Sequence, residues 1–110
     1  MIPHAPPMRF PEAAGVYTVP ADHPLVQDGQ LGGFAAVELA AQAAGRALGA
    51  PGQRGMLVEV EDLTVEGGIP VGARVVPEVI PGRRLGPLVR CRVNVPGVLS
   101  VQLTLRLESA

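Results

Sequence analysis

The stretch that most constrains the fold of this chain runs from Gly32 to Gly49 and predicts one long helix. Good helix formers, mainly Ala, Leu, Glu, Gln and Arg, fill it, and it contains no proline. Two glycines stand at the start of the predicted helix, residues 33–48, and Gly49 followed by Pro51 closes it, as is typical of helix ends. Its roughly sixteen residues would span about 24 Å at the standard rise.

Three polar side chains interrupt the otherwise apolar or small composition of this helix, namely Glu38, Gln42 and Arg46. Their spacing of four residues aligns them along one narrow stripe. A helix that is apolar almost all round is typical of a buried helix, so other elements have to cover it. Taken alone, the polar stripe is most simply interpreted as the face that water solvates.

The rest of the chain has the alternating pattern of β-strands. Residues 15–20 predict a short strand, which a loop with a turn at Asp28-Gly29 connects to the helix. After the helix, the pattern predicts a bulge near Asp62, where the apolar phase changes, and an edge or bulge at Pro77. Four strands are predicted there, at residues 57–65, 71–80, 88–95 and 99–107.

These elements predict a single α+β domain over residues 1–110, with residues 1–13 as a proline-rich, extended N-terminal arm. Short connections between the last four strands imply antiparallel neighbours. A sheet with one apolar face beside an apolar helix is best satisfied when the sheet curls around the helix. We therefore predict the hotdog arrangement, an antiparallel sheet of about five strands wrapped around one long central helix.

Composition excludes several function classes. The formal net charge is −1, all nine basic residues are Arg, and no basic block occurs, which argues against nucleic acid or a membrane surface as partner. The sequence shows neither a membrane-spanning run nor a signal-peptide pattern, so we expect a cytoplasmic protein. Two His and one Cys are too few for the usual ligand set of a zinc site, and we predict no metal and no cofactor. Cys91 has no partner for an intramolecular disulfide and is interpreted as a core side chain.

The helix also carries a recognisable motif. Gly33, Glu38, Ala41 and Gln42 match in spacing the central helix of hotdog-fold 3-hydroxyacyl-(acyl-carrier-protein) dehydratases, with Gly32 where those enzymes have Pro. The segment from His23 to Leu31 resembles that of the shorter dehydratase-like members associated with aryl-polyene-type pathways. The resemblance covers most of residues 15–108.

The resemblance implies a catalytic pair, Glu38 and His23, and a substrate-binding set at the helix, Gly32, Gly33, Phe34 and Gln42. Dehydration of a 3-hydroxyacyl thioester needs a base for the α-proton, an acid for the leaving hydroxyl and donors that polarise the thioester oxygen. Glu38 would be the acid and His23 the base. The N–H groups at the helix start would polarise the oxygen.

One departure from the family concerns the base. The common dehydratases carry a catalytic His in a Gly-His-Phe-Pro-Gly loop about fourteen residues before the Glu, whereas Pro24 stands at that distance here. His23 is one residue further away, and an alternative alignment deletes the loop and leaves no catalytic His. His23 is then an ordinary loop residue.

Three functions therefore stay open at this point. The first is a dehydratase that gives the trans-2-enoyl thioester on an acyl-carrier protein or coenzyme A. The second is an acyl thioesterase with Glu38 as base or nucleophile, and the third is a non-catalytic, acyl-binding or degenerate hotdog subunit. Because one sheet around one helix leaves an edge strand unpaired, and because hotdog proteins pair edge to edge, we expect a homodimer or a dimer of dimers.

Overall fold

The computed structural model describes residues 8–109, which form an α+β fold of antiparallel sheets and a helix. The helix α1 spans Ala36–Leu48. The ten strands, in chain order, are β1 (Glu12–Ala13), β2 (Val16–Thr18), β3 (Val26–Gln27), β4 (Gln30–Leu31), β5 (Gln53–Val65), β6 (Ile69–Pro70), β7 (Arg74–Val75), β8 (Glu78–Leu85), β9 (Leu88–Val95) and β10 (Leu99–Ser109).

The largest sheet has four strands in the order β5-β10-β9-β8, and α1 packs against all four of them. Two small three-stranded sheets, β1-β2-β7 and β3-β4-β6, complete the domain. We expected one sheet of about five strands, whereas the described residues form ten strands in three sheets. Every strand pairing is antiparallel, as the short connections predict.

The helix is buried along most of its length, as its composition predicts. Leu39, Ala40 and Ala44 are fully inaccessible to water. They face the apolar side chains of β9 and β10. Every second residue is buried from Val89 to Val95 in β9 and from Leu99 to Leu107 in β10. Among residues 8–109, no helix has the length and apolar character needed to cross a membrane.

The helix begins three residues later than residue 33, because the chain first makes a tight turn. The N–H of Ala36 donates to the Gly32 carbonyl, and the N–H groups of Val37 and Glu38 donate to the carbonyls of Phe34 and Ala35. At the other end α1 stops at Leu48, as predicted. There the Gly49 N–H donates to the Gly45 carbonyl at 2.9 Å.

The predicted strand at residues 71–80 is broken in the structure. Gly72 has a positive φ of 85°, and the Ala73 N–H donates to the Pro70 carbonyl, so a turn separates β6 from β7. Pro77 lies between β7 and β8, and β8 itself carries Pro81 and a register shift before Arg84. Proline removes ladder donors, so this edge of the main sheet is interrupted twice.

The opposite edge of the main sheet is the long strand β5, which has no proline. The bulge predicted at Asp62 is present, with a φ of 50° and a register shift against β10. A second shift falls at Val58, so that Val60 pairs with Leu103 and Leu57 pairs with Leu105.

The helix and β5 approach each other closely at a pair of glycines. A Cβ atom on Gly45 would lie 3.2 Å from the Gly55 nitrogen, and one on Gly55 would lie 3.0 Å from the Gly45 Cα. Glycine permits this approach of two backbones because it has no side chain. The contact fixes the position of α1 over the edge of the sheet.

Candidate functional site

The polar stripe of α1 forms one wall of an open cleft of about 750 Å³. All three stripe residues, Glu38, Gln42 and Arg46, line this cleft. The opposite walls come from the start of β5 and from the N-terminal segment, which we define as residues 8–13. Further lining residues are Met8, Arg9, Ala41, Gly45, Gln53, Arg54, Gly55 and Met56.

Glu38 is the only carboxylate that lines the cleft among residues 8–109. It stands in the first turn of α1 and is half-buried. Its Oε2 atom accepts a hydrogen bond from Gln42 Nε2 at 2.8 Å, whereas Oε1 accepts none from the described residues. The hydrogen bond to Oε2 therefore holds the carboxylate in one orientation, and Oε1 is the oxygen that a substrate can contact.

Gln42 has all of its amide hydrogen-bonding groups engaged within the chain. Besides Glu38, its Nε2 donates to the Met8 carbonyl at 2.7 Å, and its Oε1 accepts from the Phe10 N–H at 3.0 Å. Because an amide has two N–H donors, the nitrogen has none left for a substrate. Gln42, expected to bind substrate, instead connects Glu38 to the N-terminal segment.

His23 is buried, with 4% of its surface exposed, and it does not line the cleft. Its Nδ1 accepts from the Leu25 N–H at 3.1 Å, so Nδ1 is unprotonated and Nε2 carries the hydrogen that is donated to the Met8 carbonyl at 2.9 Å. The ring also stacks on Phe10 with centroids 4.0 Å apart. His23 and Glu38 of one chain are thus linked through Met8 and Gln42.

The two glycines before the helix, which the resemblance assigns to substrate binding, have different surroundings in the structure. Gly33 is packed against its own chain, since a Cβ there would lie 2.2 Å from Val65 Cγ1. Gly32 is open, with nothing within 4 Å of an added Cβ. Phe34 is 76% exposed and does not line the cleft. The N–H groups of Phe34 and Ala35 have no acceptor within residues 8–109.

The far end of the stripe is tied to β1. Arg46 forms an ion pair with Glu12 and lies 5.8 Å from the centre of the Tyr17 ring. The Gly15 N–H, which donates to Glu12 Oε2 at 2.8 Å, lowers the pKa of Glu12, and Arg46 adds to that lowering. Burial raises the pKa of Tyr17. Residues 8–13 therefore contact the stripe at Gln42 and at Arg46.

The sequence contained no signal for the part that the N-terminal segment has in this cleft. Two of its contacts with the stripe use main-chain groups, the Met8 carbonyl and the Phe10 N–H, which any residue type supplies. The glycine pair Gly45 and Gly55 was visible in the sequence, but only the fold shows that the two face each other.

Comparisons of the chain with protein-family models, with curated proteins and with solved structures find no match.

Proposed function

We propose that the chain is a hotdog-type enzyme that binds an acyl thioester in the Glu38 cleft and dehydrates a 3-hydroxyacyl group to the trans-2-enoyl thioester. The observation that carries this proposal is the carboxylate of Glu38, half-buried on the helix, fixed by Gln42 and alone of its kind in the cleft among residues 8–109. The helix motif that resembles the dehydratases supplies the reaction class. The packing of α1 against all four strands of the main sheet supports the hotdog assignment.

The state of His23 changes how the reaction is assigned. Both ring nitrogens are engaged with the backbone of the same chain, so we give both proton transfers to Glu38. The carboxylate takes the α-proton, and the electrons of that C–H bond form the Cα=Cβ double bond. The Cβ–O bond breaks, and the hydroxyl leaves as water with the proton from Glu38.

Thioester hydrolysis is the second candidate, and the solitary carboxylate favours it. Dehydration needs an acid and a base, whereas hydrolysis needs one base to activate water. Glu38 would take a proton from water, the oxygen would attack the thioester carbonyl, and the thiol would leave protonated. This reaction uses the same cleft and the same side chain.

One assay separates these reactions. The protein is incubated with 3-hydroxyacyl and with saturated acyl thioesters, of both coenzyme A and an acyl-carrier protein, while enoyl absorbance and free thiol are followed. Enoyl formation supports dehydration, and thiol release from both substrates supports hydrolysis. Binding without either signal would leave only the acyl-binding, non-catalytic function.

We further propose a symmetric homodimer formed through the free edge of β5. This strand exposes Met56, Leu57, Val58 and Val60 in the monomer. It also carries Arg54 near its start and Glu59 and Asp62 further along, so antiparallel self-pairing brings opposite charges together. A second copy is therefore the partner that fits this edge.

The dimer makes a direct prediction for sedimentation. We expect a species of twice 11.4 kDa at micromolar concentration, and we expect Val58→Lys to shift it to monomer, because a lysine on the edge opposes strand pairing. Val76→Lys is the matched control, since the two valines are 57% and 60% exposed and Val76 lies outside β5. A wild-type protein that sediments only as monomer contradicts the dimer.

A further inference from the structure

We propose that His23 and Gln42 are positioning residues that hold the N-terminal segment as a wall of the cleft and thereby orient Glu38. This inference deepens the proposed function and rests on it for its catalytic part. It gives His23 a different role from that of a base. It also gives the main chain of Met8 to Phe10 a part in the site.

The first support is the convergence of donors on one carbonyl. Met8 O accepts from His23 Nε2 at 2.9 Å and from Gln42 Nε2 at 2.7 Å, so both lone pairs of a single main-chain oxygen are used. The two side chains come from different elements, a loop before β3 and the middle of α1. The carbonyl can occupy this place only when the segment lies against the helix.

The second support is the packing around Phe10. Its side chain is 2% exposed and stacks on the His23 ring at an interplanar angle of 11°, and its N–H donates to Gln42 Oε1. One residue of the segment is therefore held by its ring and by its main chain. Met8 and Arg9, the residues before it, line the cleft directly.

The third support is the link onward to Glu38. Gln42 Nε2 donates to Glu38 Oε2 as well as to Met8 O, so the orientation of the amide depends on the segment and the orientation of the carboxylate depends on the amide. Releasing the segment frees Gln42 to rotate, and the carboxylate then loses its fixed direction. A proton-transferring group has to be held in such a direction to work efficiently.

Two substitutions of His23 separate positioning from catalysis. In His23→Gln the amide nitrogen can replace Nε2 as donor to Met8, whereas in His23→Asn the shorter amide can replace only Nδ1 as acceptor from Leu25. Neither can act as a base. If His23 is a positioning residue, the His23→Gln variant should retain activity that the His23→Asn variant loses. If His23 is a catalytic base, both variants should lose the same amount of activity.

The segment itself can be followed without any substrate by tryptic cleavage after Arg9. The Arg9–Phe10 bond adjoins the N–H that Gln42 holds, so cleavage requires local opening. We expect cleavage about threefold faster in His23→Gln, from the lost stacking, and at least about tenfold faster in His23→Asn and Gln42→Met. Gln27→Met, an exposed glutamine in β3, is the control and should leave the rate unchanged.

Turnover is then measured on the same proteins. We expect kcat to fall in the order of the cleavage rates while the pH–rate profile keeps its shape, because the titrating catalytic group stays the same. Equal activity losses of about a hundredfold or more in both His23 variants, with a limb of the pH profile removed, would overturn the proposal. Unchanged cleavage in Gln42→Met would overturn it as well. If the wild type has no turnover, the proposed function fails, and the cleavage rates still test the attachment of the segment.

Discussion

Replacing Glu38 by Gln is expected to lower turnover by about 10²- to 10⁴-fold, the usual contribution of a general acid or base. The substitution keeps the shape of the side chain and an oxygen that accepts from Gln42 Nε2, so the existing 2.8 Å hydrogen bond has a replacement. Only the ability to take and return a proton is removed. Initial rates of enoyl or thiol formation measure the effect, and thermal unfolding should shift by no more than a few degrees.

The matched control is Asp28→Asn, which makes the same carboxylate-to-amide change in the exposed turn between β3 and β4. Asp28 has a positive φ of 52°, a conformation that Asn tolerates well, so stability should be retained. Full activity in Glu38→Gln would refute the enzymatic proposal, because no other carboxylate among residues 8–109 lines the cleft. Equal losses in both variants would indicate general damage to the protein instead.

The second large effect is expected for Gly33→Ala, which should destabilise the fold by about 3 kcal/mol. The added Cβ would lie 2.2 Å from Val65 Cγ1 and 2.6 Å from the Gly67 carbonyl oxygen. The valine methyl group can rotate away, but the carbonyl belongs to the backbone and requires the loop after β5 to move. At about 4–8 °C per kcal/mol for a domain of this size, Tm should fall by more than about 10 °C.

Gly32→Ala provides the comparison at the neighbouring position. Nothing lies within 4 Å of the Cβ that it would add, so its Tm should change by about 2 °C or less. Thermal unfolding followed by circular dichroism measures both variants. Equal stability of the two would show that Gly33 is not packed as described. A stable Gly32→Ala protein with a raised KM would support the approach of substrate to this end of the helix.

Several parts of the fold could be predicted because the sequence pattern reports local geometry. The alternation of β9 and β10 identified their buried faces, since each face of a strand meets one environment. The change of phase at Asp62 identified a bulge for the same reason. The helix was predicted from composition and its closing glycine, and only its first turn differed.

The division into three sheets could not be predicted from the same pattern. Residues 71 to 79 alternate in burial as a strand would, although a turn at Gly72 and the proline at 77 break their hydrogen bonding. Periodicity reports which side chains are covered and gives no information about which strands pair. The bulge at Val58 was hidden because Met56, Leu57 and Val58 are all apolar, so no phase change marks it.

The candidate site shows the same limit. The stripe of Glu38, Gln42 and Arg46 was visible as a spacing, and all three do line one cleft. What covers the stripe could not be read from side chains, because Met8 and Phe10 contact it through main-chain atoms. His23 was selected for its chemistry, whereas its burial and its two backbone partners depend on distant parts of the chain.

The prolines at the β8 edge have a consequence for how far assembly can proceed. A sheet with two open edges can add copies end over end and grow into a filament. Here Pro81 lies within β8 and Pro77 directly precedes it, whereas β5 contains no proline and keeps all of its main-chain donors. If two copies join through β5 as proposed, the pair exposes only its two proline-containing β8 edges, and we expect assembly to stop at the dimer. Under the same proposal, we expect removal of those prolines to make the β8 edge available for further strand pairing and fibre growth.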